Sequence, residues 1–285
     1  MSLRSAVFPV ILGLLLALAA PPPVLGQNLT ASELKQSDII FVGTVVNVGA
    51  TSFKGFPASQ NTLIVRADAV LEKPPGVVLR PGDNLTVVAK DASELKKGIH
   101  GTFYTAGWVY GDGIAVREIG HELPADLADP PDAAQKKEEN MQARKAISDA
   151  DLKARIDSAG LVIVGRVEEV RPPSMATAAP SAAPITEHDP EWKEAIIHAD
   201  SIIKGPASSA KEIVVHFPAS IDVSWYEWPK LKVGQEGTFI LQDDKVSGAP
   251  AAMLQKKQVR AYITPNTEDV LSKEDAVRVR ALTTK

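Results

Sequence analysis

The sequence predicts a mainly β protein made of two copies of one five-stranded module, with accessory helices. Three observations lead there: four sequence blocks that recur in the same order, short runs rich in β-branched residues, and glycine turns at matching places in both halves. The chain has 285 residues, room for two domains of about 100–200 residues each. Its hydrophobic content of 45% is enough to fill two cores.

The repeat begins with Ser37 to Val45, which aligns with Ala159 to Val167. Ile64 to Leu71 aligns with Ile196 to Ile203, and Leu95 to Phe103 with Leu231 to Phe239. A looser fourth match sets Val116-Arg117-Glu118-Ile119 against Val259-Arg260-Ala261-Tyr262. Strands are therefore expected at Ile39–Val46 and Leu161–Val167, then at Ile64–Leu71 and Ile196–Ile203. Leu85–Ala89 and Ile213–Phe217 supply a third strand, and the segments around Phe103 and Phe239 a fourth. A Gly111-Asp112-Gly113 hairpin turn introduces the fifth, Ile114–Ile119, with Val259–Ile263 as its counterpart.

Helices punctuate this plan. Thr30-Ala31-Ser32-Glu33 is a capping-box pattern. Asp132 to Ile147 lacks glycine and proline and reads as a helix. Ser148-Asp149-Ala150-Asp151 is expected to cap a second one, running to Ser158, and a C-terminal helix opens near Ser272. Residues 171–186 are rich in Pro, Ala and Ser and read as a loop. The expected layout is an export signal at 1–26, a first β module at 27–125 and a helical linker at 126–158. A second β module follows at 159–265, and a C-terminal helix at 266–285.

The N-terminus has the pattern of an export signal: Arg4, an apolar stretch from Ala6 to Ala20, three prolines, and a cut before Gln27. The stretch is short of the roughly 20 residues a membrane span needs, so no transmembrane segment is expected after cleavage. Losing Arg4 and no acid takes the formal charge from -4 to -5, which offers no sign of nucleic-acid binding. The absence of cysteine excludes disulfides, thiol nucleophiles and Cys-type zinc sites. Together these features point to a secreted or periplasmic protein of bacterial type.

The strand spacing, the Gly-x-Val and Gly-x-Phe anchors, and the Lys204-Gly205-Pro206 strand end resemble secreted OB-fold-like modules, those of the tissue-inhibitor-of-metalloproteinases and netrin-like family. The resemblance covers 37–119 and 159–263. It implies two tandem five-stranded OB-like β-barrels linked by a helical segment. The family's inhibitory N-terminal cysteine has no counterpart here, so that mechanism does not transfer.

Chemistry-bearing motifs are sparse. None of the five histidines falls in a zinc signature. His188, beside Glu187, Asp189 and Glu191, and His198, two residues before Asp200, are the candidate metal donors, and both read more simply as loop or surface charge. There is no Gly-x-Ser-x-Gly elbow and no Gly-rich phosphate loop. No cofactor is expected. Aromatic residues make up only 5% of the chain, yet Trp225, Tyr226 and Trp228 fall within four positions, with Trp192 in the same module. Read as an extended segment, Tyr226 and Trp228 face outward and Trp225 anchors inward. The competing reading makes the rings a plug in the barrel end. The expected function is an exported, non-enzymatic binding protein for another protein or a cell-envelope component. The alternatives are a secreted hydrolase or metal-dependent enzyme using donors near His188, His198 or His216, and a protease inhibitor acting through loops.

Overall fold

A computed structural model describes residues 29–109, 113–127, 129–175, 188–206 and 211–284. The segment 1–26, expected to be an export signal, lies outside these residues, as do most of the Pro/Ala-rich loop, Glu187 and Gly111-Asp112. The protein is mainly β, with 40% strand against 18% helix. It divides into two units, 1–146 and 147–285.

The first unit opens with α1 (Ala31–Gln36), whose capping box forms as the sequence predicts: Thr30 and Glu33 exchange backbone-to-side-chain hydrogen bonds. Five strands follow: β1 (Ile39–Val48), β2 (Thr62–Glu72), β3 (Asn84–Val88), β4 (His100–Val109) and β5 (Ala115–Glu122). They close into a barrel in the order β1-β2-β3-β5-β4. All pairings are antiparallel except β3–β5.

The linking helix α2 runs unbroken from Ala133 to Ser158. The expected break at Ser148-Asp149 does not occur, because those side chains are used differently. Asp149 and Ser148 Oγ accept hydrogen bonds from the Arg278 guanidinium instead of capping a new turn.

The second unit contains β6 (Leu161–Arg171), β7 (Trp192–Lys204), β8 (Glu212–Pro218), β9 (Glu236–Asp243), β10 (Ala251–Leu254), β11 (Lys257–Ile263), β12 (Val270–Leu271) and α3 (Ala276–Thr283). These strands form a seven-stranded sheet where a second five-stranded barrel is expected. The reason lies at the closing edge. β9 and β11 pair over two residues, against seven for β4 and β5, and β10 and β12 extend the sheet beyond the five shared strands.

Within that sheet, β6, β7, β8, β11 and β9 make the same five pairings, in the same senses, as β1, β2, β3, β5 and β4. The agreement extends to irregularities. β1 and β2 shift register at Ile40/Phe41, Val42/Gly43 and Val45/Asn47. β6 and β7 shift at Val162/Ile163, Val164/Gly165 and Val167/Glu169, the aligned positions. The cores correspond as well: Phe41, Val45, Val65, Val87, Leu95 and Phe103 match Ile163, Val167, Ile197, Val215, Leu231 and Phe239, all buried. Even a shared imperfection recurs, since the buried hydroxyls of Thr102 and Thr238 both lack a hydrogen-bond partner.

One alignment is corrected. β3 pairs Val87 with Val116, and β8 pairs Val215 with Tyr262. Val116 therefore corresponds to Tyr262, three residues beyond the Val259 of the sequence match. The pairing with the preceding strands agrees: Gly107 faces Val116, and Asp243 faces Tyr262.

Candidate functional site

Three of the four expected aromatic residues come together in the second unit. Trp192 opens β7, and the 219–230 segment follows β8, which lies beside it. The rings of Trp192, Trp225 and Trp228 form a mutual edge-to-face trio with centroids 5.6–6.1 Å apart. Such geometry sets the positive rim of one ring against the negative face of another, adding to the area they bury.

The segment holding two of these rings is a helical turn. Asp222 Oδ1 accepts the Ser224 N–H at 2.9 Å, and the Asp222 carbonyl accepts the Trp225 and Tyr226 N–H groups. Aspartate favours such turns because its carboxylate substitutes for a backbone acceptor. The Ser224 N–H chiefly holds the Asp222 carboxyl below its ordinary range, with help from His188 Nδ1 at 3.1 Å. Trp225 Nε1 donates to the His188 carbonyl at 2.7 Å, and Lys230 Nζ donates to the Trp225 carbonyl.

Turning the chain changes which rings face out. Trp225 and Trp228 are three apart, so in a helical turn they share a side and meet Trp192. The outward pair expected of Tyr226 and Trp228 is therefore not formed: Trp228 is half-buried in the trio, and Tyr226 is 59% exposed. Tyr226 Oη donates to Glu227, whose carboxylate pushes the phenol's pKa upward. The same loop exposes two aliphatic residues that sequence reasoning passed over, Ile221 at 88% and Val223 at 74%. Their signal was present as apolar residues in a segment punctuated by Ser220, Asp222 and Ser224.

Truncating these side chains is expected to separate binding from folding. Trp228→Ala breaks two ring contacts and should cost about 3 kcal/mol or more of stability. Tyr226→Ala removes an exposed ring and should shift stability by no more than about 0.5 kcal/mol. Urea unfolding of the two variants checks this, and an equal loss in both would make the whole segment core.

The candidate metal donors stay apart. His188 is exposed and bound to Asp222, while His198 is half-buried, with Nδ1 3.9 Å from Glu168. Among the described residues no three His, Asp or Glu side chains form a metal-binding group.

His216 belongs to a different arrangement. Its ring is 1% exposed, with Nδ1 2.6 Å from Asp244 Oδ2 and Nε2 3.4 Å from Glu194 Oε2. Ser247 Oγ lies 3.3 Å from the same Nδ1 and donates to Asp244. Arg171 completes the set, donating from Nε to Glu194 at 2.6 Å and from Nη2 to the Met253 carbonyl. Serine, histidine and aspartate meet here without nucleophile chemistry. The Ser247 hydroxyl donates its hydrogen bond to Asp244, and Ser247, His216 and Asp244 are all buried. The first unit has no equivalent, since the positions matching Glu194 and His216 are Thr62 and Val88.

No protein-family model matches this chain. No curated protein resembles it in sequence. No helix among the described residues is long and apolar enough to cross a membrane.

Proposed function

We propose that this chain is an exported, non-enzymatic binding protein of two tandem OB-like modules, similar to the tissue-inhibitor and netrin-like barrels. Its second module presents the 219–230 loop to a protein partner. The observation that carries the reading is the exposure of Ile221, Val223 and Tyr226 on the loop whose Trp225 and Trp228 pack against Trp192. Exposed apolar side chains on a loop held by packed rings are candidate anchors of a protein interface. Two aliphatic side chains beside one tyrosine favour a protein surface over a sugar, which is gripped by stacking flat rings. The repeated pairing scheme supports the tandem-module part, and the Arg4 to Gly26 segment supports export.

The test places a photo-crosslinking amino acid at Val223 in the producing cell. A discrete adduct is expected, and the double variant Ile221→Ser/Tyr226→Ala should abolish it without changing the melting temperature. An adduct that survives the double variant, or no adduct at all, would sink the reading.

A further inference from the structure

In the first unit, the end of β2 and the N-terminal half of α2 line a half-open cavity of about 300 Å³. It is lined by Leu71, Glu72, Lys137, Asn140, Met141 and Arg144. Leu71 and Met141 make an apolar wall. The charges do not balance. Glu72 is matched by Arg144 Nε at 2.8 Å, whereas Lys137 has no carboxylate partner among the described residues. Arg144 also donates from Nη2 to the Ser37 carbonyl at 2.6 Å. Two of its five N–H groups are thus used, and three remain.

Asn140 adds a further donor. It is 6% exposed, and its amide oxygen accepts the Tyr104 hydroxyl at 3.1 Å. Its Nδ2 is buried with no hydrogen-bond partner. Buried polar groups are nearly always satisfied, so an orphaned donor on a residue lining the cavity leaves hydrogen-bonding capacity beside it. The wall therefore combines one surplus positive charge, unfilled N–H donors and an apolar strip, in a volume at the small end of ligand pockets, about 300–1,000 Å³.

We propose that this cavity binds a small monocarboxylate with a short apolar tail. The carboxylate would lie toward Lys137, Arg144 and the Asn140 amide, and the tail along Leu71 and Met141. The proposal is independent of the aromatic loop, which belongs to the other unit. Charge-assisted hydrogen bonds supply the preference for an anion over an alcohol or an amine of equal length.

Octanoate, octanol and octylamine serve as probes, titrated into the full chain and followed by backbone amide shifts. Octanoate should give saturable shifts at residues 71–72 and 137–144. Octanol and octylamine should bind at least tenfold more weakly. Lys137→Glu, at an exposed position that leaves folding intact, should weaken octanoate at least tenfold, and Asn140→Leu should also weaken it. Any of three results overturns the proposal: no saturable shift at these residues, equal binding of the alcohol or the amine, or unchanged affinity in Lys137→Glu.

Discussion

Replacing Glu194 by Gln is expected to destabilise the second unit by about 3–5 kcal/mol, the cost of breaking a buried ion pair from one side. Glu194 is fully buried and accepts from two donors, Arg171 Nε and Ser174 Oγ, with His216 Nε2 3.4 Å away. A glutamine offers one acceptor oxygen and a pair of N–H donors there, so the Arg171 guanidinium loses the charge that offsets its partial burial. Asp200→Asn makes the comparison. Asp200 pairs with Lys273 at 3.3 Å, both about half exposed, and such surface pairs contribute about 0–1 kcal/mol. Denaturant unfolding followed by tryptophan fluorescence reads the effect, since three of the four tryptophans lie in the second unit. Equal midpoints for the two variants would show the buried network to be energetically idle.

The same network sets an acid limit. Burial pushes the Asp244 carboxyl up, but hydrogen bonds from His216, Ser247 and the Ser247 and Val246 N–H groups outweigh it and hold the carboxyl below its ordinary range. A group whose pKa is lower folded than unfolded stabilises the fold above its unfolded value, about 3.9 for aspartate. That contribution disappears as the pH falls through the folded value. Stability should therefore be unaffected by this group from neutral pH down to about 5, and decline below about 4. Asp244→Asn should lack that part of the decline.

The sequence carried the repeat because its anchors are local: a glycine inside a β-branched run, and a Lys-containing turn before a Gly-Thr-Phe strand. It misplaced the last block by three residues because Val-Arg recurs at 116–117 and 259–260. The true correspondence is set by pairing to strands distant in sequence. The β10–β11 hairpin, which turns at Gln255 and Lys256 in the left-handed region, brings extra residues ahead of β11 and creates that coincidence. The aromatic cluster was legible as a cluster. Its orientation was not, because it depends on a turn set by the Asp222 side chain. The buried network was not visible at all. Its members are scattered from Arg171 to Ser247, and only the strand pairing brings Glu194 opposite His216.

Gly165→Ala is expected to cost about 3 kcal/mol, the upper end of overpacking penalties, because the added carbon pushes chiefly against backbone. Gly165 sits at a register shift where β6 curls over β7, opposite Ala199 on one side and Gly237 on the other. A Cβ there would strike the His198 carbonyl oxygen, with Ile197 Cγ2 at 3.1 Å. Its first-unit counterpart, Gly43, is opposite Ala67 and Gly101, and a Cβ would lie 2.7 Å from the Arg66 carbonyl oxygen. The clash at Gly165 is the closer of the two, so Gly43→Ala should be milder, at about 2 kcal/mol. Neither carbonyl can retreat easily, since each belongs to a strand hydrogen-bonded on both sides. Gly76→Ala supplies the reference: nothing lies within 4 Å of the added carbon, and alanine narrows the unfolded ensemble, so stability should hold or rise by up to about 0.5 kcal/mol. Urea midpoints of the three variants order these costs. If Gly165→Ala unfolds with Gly76→Ala, the close strand approach is not what selects glycine at the two equivalent bends.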